Sequence, residues 1–211
     1  KELLRQKRKI KIFKGDIFDK KALRIALRES DIVVNLVGGF DKDIYLLNVF
    51  GNSEFLGACK ECKIKKIIFT SSEAVYGEYP GRPYIESCEP KPITEYGLSK
   101  YLAEKIYKFY SDKYNIPTIV LRLSNTYGPG QKMGVVHDFI ASVLGENSSV
   151  VAVHNDGKQR RGFLYVEDAV RGIIRGIDHK TRGFEIFNIS GPKTYSLLEL
   201  VSAISRNVNK K

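Results

Sequence analysis

Short apolar runs and longer amphipathic stretches alternate along the chain. "KIKIFKGD" (9–16) reads as a strand, and "DKKALRIALRES" (19–30) as an amphipathic helix with Asp19 as its N-cap. "DIVVNLVGG" is a buried strand ending in glycines, "DIYLLNVFGNSEFLGACKECK" a helix, and "IKKIIFTSS" a second buried strand. "TEYGLSKYLAEKIYKFYSDKYN" predicts a long helix capped by Thr94, and "IPTIVLRLSN" the strand after it. Near-continuous apolar strands separated by helices indicate a parallel sheet covered on both faces, an α/β protein. From about Ser124 the pattern loosens into helix ("VVHDFIASVLG"), short strand ("SVVAVH"), helix ("VEDAVRGIIRGI"), strand ("FEIFNIS") and helix ("SLLELVSAISRNV").

In open α/β sheets ligands lie beyond the carboxyl ends of the strands. The segments leaving those ends are "GDI", "VGG", "TSSEAVYG" and "SNTYGPG", all rich in small and polar residues. The long helix adds two tyrosines, each with a lysine four residues on: Tyr96/Lys100 and Tyr101/Lys105. On a 3.6-residue wheel Leu98, Leu102, Ile106, Phe109 and Tyr110 form the expected core arc, and Glu104, Lys105 and Lys108 the wet face. Tyr101 falls among the charges. Tyr96 and Lys100 share a border beside Ala103, where a helix can look into a crevice. An ammonium at i+4 favours the phenolate. Bringing a phenol from ~10 close to neutrality needs roughly 4 kcal/mol, and a neighbouring lysine is expected to supply part of it.

Composition narrows the field. The chain has 211 residues, 43% hydrophobic and 28% charged, the balance of a globular protein. No apolar run of membrane-spanning length occurs, and the basic start "KELLRQKRKIKIF" lacks the apolar core of a secretory signal, so a cytoplasmic location is the default and no membrane partner is expected. The net charge of +11 favours anionic partners. Apart from a cluster at Arg5 to Lys11 the basic residues are dispersed, with no aromatic–basic nucleic-acid motif, so nucleic acid is not the expected partner. Cys59 and Cys62 form a C-x-x-C inside a helical pattern without the further ligands of a metal site, and no metal is expected.

The motifs "TSSEAVYG", "YGLSKYLAEK", "LRLSNTYGPGQ", "RRGFLYVEDAVRGI" and "FNISGPKTYSLLEL", in this order, resemble the extended short-chain dehydrogenase/reductases. Among these they look like the NAD-dependent epimerase/dehydratase family, close in pattern to the UDP-glucose 4-epimerases. The resemblance implies a Rossmann-like doubly wound parallel sheet over residues 1–130, and a small substrate-binding α/β part over 131–211 that returns elements to the sheet. It implies NAD as cofactor, a nucleotide-diphosphate sugar as substrate, and a homodimer as a possible assembly, with Phe55 and Phe109 on its helix pair. Tyr96 would be the catalytic acid/base, Lys100 would hold the nicotinamide ribose and tune Tyr96, and Ser72 would hydrogen-bond the hydroxyl being oxidised. Asp16 and Ile17 would flank the adenine. Leu36, Val37 and Gly38 would line the cofactor, Asn48 would lie beneath it, and Ser124 would sit on its nicotinamide side. Asn125 and Arg161 would contact the substrate diphosphate. The implied reaction takes a hydride from the sugar onto NAD and returns it to the other face.

Two departures qualify the resemblance. The family's G-x-x-G-x-x-G loop, which cradles the dinucleotide pyrophosphate, occurs nowhere in these residues, and the chain is expected to be part of a longer protein. Dehydratases of the family carry an Asp-Glu pair after the strand-end Ser/Thr, where this chain has Glu73-Ala74. Epimerase is therefore preferred over dehydratase, with decarboxylase and reductase open. A non-catalytic binding relative is the alternative from another class.

Overall fold

The computed structural model describes residues 10–40, 43–78, 83–145, 153 and 156–207. Among the described residues six α-helices run Lys20–Leu27 (α1), Asn52–Glu61 (α2), Glu95–Tyr114 (α3), Val135–Leu144 (α4), Val166–Asp178 (α5) and Leu197–Asn207 (α6). The strands are Ile32–Asn35 (β1), Lys66–Ser72 (β2), Thr118–Leu123 (β3), Asn125–Tyr127 (β4), Arg160–Tyr165 (β5), Phe184–Ile189 (β6) and Thr194–Ser196 (β7).

The larger sheet has the order β1-β2-β3-β6 and is parallel throughout, in the register Val34↔Ile68, Phe69↔Val120 and Val120↔Ile186. The alternation of β2 sends Ile67 and Phe69 to one face and Ile68 to the other, and all three are fully buried. The first face packs against Leu27 of α1, Phe55 and Leu56 of α2, and Ala103 and Tyr107 of α3. The second, with Ile119 and Leu121, packs against Ile173 and Ile177 of α5. The expected doubly wound parallel sheet is therefore present. The smaller sheet, β4-β5-β7, pairs β4 parallel to β5 and β7 antiparallel to it. A division near residue 130 is crossed twice: β4 belongs to the small sheet, while β6 returns to the large one.

The caps read from sequence are formed. Asp19 Oδ1 accepts from the amides of Lys21 and Ala22, and Thr94 Oγ1 from that of Gly97. Three expectations are corrected. Residues 10–14 form no regular element and pair with no strand among the described residues, and Ile12 and Phe13 are exposed. A strand is held by its ladder, and without a neighbour its sequence cannot make one. The helix expected ahead of Cys59 opens with a π-helical turn, Leu46–Gly51. There the Asn52 side chain donates to the Asn48 carbonyl (2.8 Å), the acceptor an α-helix would give to its own backbone.

The third correction turns α3. Its buried positions are Gly97, Ser99, Lys100, Ala103, Glu104, Tyr107 and Ser111, while Leu98, Leu102 and Phe109 are exposed. The polar residues face inward because partners await them there. Glu104 accepts from Arg122 Nε (3.0 Å) and Nη2 (2.7 Å) and from Ser71 Oγ. Phe55, offered with Phe109 for a helix-pair contact between copies, is core. Cys59 is also core, and burial pushes its thiol up to about 12, so it packs rather than reacts. The strand expected at 149–154 lies outside the described residues save Val153, as do residues 5–9 of the basic cluster.

Candidate active site

The carboxyl ends of β1 and β2 meet the first turn of α3. Ser72 closes β2, its Oγ accepting from the Ala74 amide (3.2 Å) as the chain enters a short 3₁₀ turn, Glu73–Tyr76. The first turn of α3 packs on this turn, where a Cβ on Gly97 would stand 2.4 Å from the Ala74 carbonyl oxygen, and this brings Tyr96 up to Ser72. Burial raises the phenol above its usual value, and the Ser72 hydrogen bond opposes that by favouring the phenolate. The Tyr96 ring stacks on Phe40, with centroids 4.1 Å apart.

Lys100 is buried, one helical turn further on. Its Nζ donates to the carbonyls of Thr70 (3.0 Å) and Val37 (3.4 Å), and it lies 4.9 Å from the centre of the Phe69 ring. Burial lowers this ammonium to about 8, against the field of Glu104. The expectation that Lys100 pulls the Tyr96 phenol down is not met: the ammonium is held by backbone carbonyls, and Ser72 is the group that lowers the phenol. A Cβ on Gly38 would stand 2.8 Å from Lys100 Nζ, so only glycine leaves the lysine this approach to the end of β1.

The loop after β1 is pinned from below. Asn48, fully buried, accepts from the Gly39 amide (2.9 Å) and donates to the Gly39 carbonyl (3.0 Å) and Ser99 Oγ (2.9 Å). Ser99 in turn donates to the Tyr96 carbonyl (2.8 Å). Leu36 and Val37 stay exposed above this support, an apolar surface at the strand end. Asp16 Oδ1 accepts from the Phe18 amide (2.9 Å), and Ile17 packs on Gly51 at the end of the π-helical turn. The structure thus brings Ser72, Tyr96, Lys100, Val37, Gly38 and Asn48 together; Asp16 and Ile17 flank the support rather than touch Tyr96 or Lys100.

A second group lies at the end of β3. Ser124 is buried and its Oγ has no hydrogen-bond partner among the described residues. Asn125 Nδ2 donates to Glu73 Oε1 (2.8 Å) and to the Gly162 carbonyl (3.0 Å). Arg161 is exposed on β5 and makes no ion pair among the described residues; Glu167 and Asp168 are taken by Arg171. Burial pushes the Glu73 carboxyl up to about 7, with Arg161 and Asn125 opposing the rise.

Sequence reasoning did not assign Glu73, Asn35, Asn52, Glu104 or Arg122 to this framework. Asn35 donates to Asn52 (2.9 Å) and to the Tyr107 hydroxyl (2.7 Å), fastening β1 to α2 and α3. An asparagine inside the apolar run "DIVVN", and a pair at i and i+4 in an apolar helix, are the signals that point to it. Glu104 and Arg122 give no local signal.

Known proteins match this chain. The model of the NAD dependent epimerase/dehydratase family covers residues 2–190. The dTDP-D-glucose 4,6-dehydratase of Bos taurus is 29% identical over 213 residues, 96% of this chain and 59% of that protein. The uncharacterized UDP-glucose epimerase YtcB of Bacillus subtilis is 32% identical over 158 residues, 74% of this chain and 49% of that one. The UDP-glucuronic acid 4-epimerase from Bacillus cereus, solved with UDP-glucuronic acid and NAD, superposes with a TM-score of 0.85 at 29% identity, over 93% of this chain and 65% of that one. The chain spans about half the length of the curated relatives it matches.

Proposed function

Because the chain belongs to the NAD dependent epimerase/dehydratase family, we propose that it carries the catalytic part of an NAD-dependent epimerase acting on a nucleotide-diphosphate sugar. The observation that carries this reading is the packing of the first turn of α3, with Tyr96, on the chain that leaves β2 at Ser72, with buried Lys100 one turn behind and its Nζ 3.0 Å from the Thr70 carbonyl. Tyr96 takes the proton of a sugar hydroxyl that Ser72 orients, and gives it back when the sugar is reduced. Lys100 donates to a ribose hydroxyl and holds the dinucleotide beside Tyr96.

The residues fit that dinucleotide. Exposed Leu36 and Val37 offer it an apolar surface, Asn48 supports the loop that carries them, and the unpartnered Ser124 hydroxyl is a buried donor awaiting an acceptor. When bound, NAD supplies the hydride acceptor and donor. Asn125 and Arg161 hold the substrate diphosphate, Arg161 being a cation with no ion-pair partner among the described residues. Epimerisation is favoured over water elimination because Glu73 is followed by Ala74, so the second carboxyl of a dehydratase pair is missing. The same reading includes pairing of two copies across the exposed apolar face of α3, Leu98, Leu102 and Phe109.

The test is incubation of the protein with NAD and UDP- or dTDP-glucose carrying deuterium at the oxidised carbon. The expected product is the epimer with the label retained, followed by NMR. Loss of one water from the product, or no turnover with any nucleotide sugar, refutes the assignment. Sedimentation of the protein tests the pairing, with a monomer at micromolar concentration against it.

A further inference from the structure

One carboxyl beside Ser72 has no part in the mechanism above: Glu73. It directly follows Ser72 and is half-buried at the start of the 3₁₀ turn. Its Oε1 is fixed by Asn125 Nδ2 at 2.8 Å, while Oε2 has no hydrogen bond among the described residues. Gly162 lets β5 approach this group closely: a Cβ there would stand 2.6 Å from Ser190 Oγ, 3.2 Å from Ser124 Cβ and 3.5 Å from Glu73 Oε2. In the proposed function Ser72 and Asn125 are both substrate contacts, and Glu73 adjoins the first in the chain and is hydrogen-bonded to the second.

Resting on the nucleotide-sugar reading above, we propose that Glu73 determines which sugars the site accepts, selecting neutral, hydroxyl-bearing hexoses and rejecting uronic acids. The free Oε2 is an acceptor for a sugar hydroxyl, whereas a uronate sets a second carboxylate beside it. Two like charges about 5 Å apart at an effective dielectric of about 20 repel by an amount worth roughly two orders of magnitude in affinity. Asn125 on β4 is hydrogen-bonded to Glu73, and among the described residues the charge that acts on it is Arg161 on β5. Arg161 is engaged by the diphosphate in the bound state, so it does not relieve the repulsion. The expected preference thus differs from that of the Bacillus cereus enzyme solved with UDP-glucuronic acid.

The selection carries its own pH signature. The Glu73 carboxyl ionises around 7, whereas a uronate stays charged well below that, so the repulsion fades as pH falls. The experiment compares kcat/KM for UDP- and dTDP-glucose with that for UDP- and dTDP-glucuronic acid, in the protein supplied with NAD, at pH 8.5 and pH 6. Protonation of Glu73 caps the penalty, so the expected preference for the neutral sugar is about 25-fold at pH 8.5 and close to none at pH 6. Glu73→Gln keeps the acceptor for Asn125 and should lower the preference at pH 8.5 by about 10–25-fold and flatten its pH dependence; Glu73→Asp should retain both. An unchanged ratio in Glu73→Gln, or a wild-type ratio indifferent to pH, overturns the inference while epimerisation of UDP- or dTDP-glucose leaves the proposed function standing. The wild-type pH comparison needs no variant to fold. If the wild type binds no sugar nucleotide, the proposed function falls and this inference with it.

Discussion

Replacing Glu104 by glutamine should destabilise the protein far more than a change on a helix of mixed charge ordinarily does. Glu104 and Arg122 are each 3% exposed at the side chain and joined by two hydrogen bonds, 2.7 and 3.0 Å. Arg122 Nη1 continues to the Tyr76 hydroxyl (2.7 Å), which donates to Asn188 (2.8 Å), so the pair ties α3 to β2, β3 and β6. Removing one partner leaves an uncompensated buried guanidinium, a loss of about 3–5 kcal/mol. For a chain of this size that lowers the melting temperature by roughly 6–20 °C. Glu104→Leu combined with Arg122→Met takes away both charges, and Tyr76 keeps Asn188 as its partner. The double variant should recover at least about 2 kcal/mol relative to Glu104→Leu alone, since buried ion pairs exchange for packed apolar residues at little net cost. Urea unfolding followed by circular dichroism of the wild type, both single variants and the double variant closes the cycle. A Glu104→Gln loss under about 1 kcal/mol, or strictly additive single effects, refutes the buried-pair argument.

Tyr96→Phe should cut turnover by about 10²–10⁴-fold while nucleotide-sugar binding by calorimetry is largely kept, whereas Tyr101→Phe, whose ring packs by Lys105 rather than by Ser72, should change turnover by less than about twofold. Equal effects would refute the choice between the two tyrosines. The Lys100 ammonium is lowered to about 8 in the folded chain, so the unfolded chain binds its proton more tightly between about pH 8 and 10.5, and stability gained from this residue rises with pH across that window. Set against Lys100→Met, the wild type should gain stability as pH goes from 8 to 10, read from urea midpoints; a constant difference contradicts this. Arg161→Ala should weaken nucleotide-sugar binding by about 1.5–3 kcal/mol with the melting temperature unchanged, because Arg171 holds Glu167 and Asp168. A fall in melting temperature without a loss of affinity assigns Arg161 a structural role instead.

Much of this protein was legible in the order of its residues. Apolar runs two-sided enough for a parallel sheet became β1, β2, β3 and β6, and Asp19 and Thr94 capped the helices they precede, because strand alternation and capping are settled within a few residues. That Ser72, Tyr96 and Lys100 lie close together could be expected from the motif order, since a strand end and a helix start in succession leave little freedom in where they meet. Tertiary structure decided the rest. Residues 10–14 have the pattern of a strand but no neighbour to pair with among the described residues. The wheel placed Leu98 and Leu102 inside and Glu104 outside; the structure reverses them, because Arg122 and Ser71 arrive from β3 and β2 to satisfy Glu104. The Lys100 ammonium turns to the carbonyls of Thr70 and Val37 instead of the tyrosine four residues before it. Periodicity records how apolar a helix face is. Which face is buried depends on partners that lie far away in the chain, and a buried charge goes where those partners can pair it.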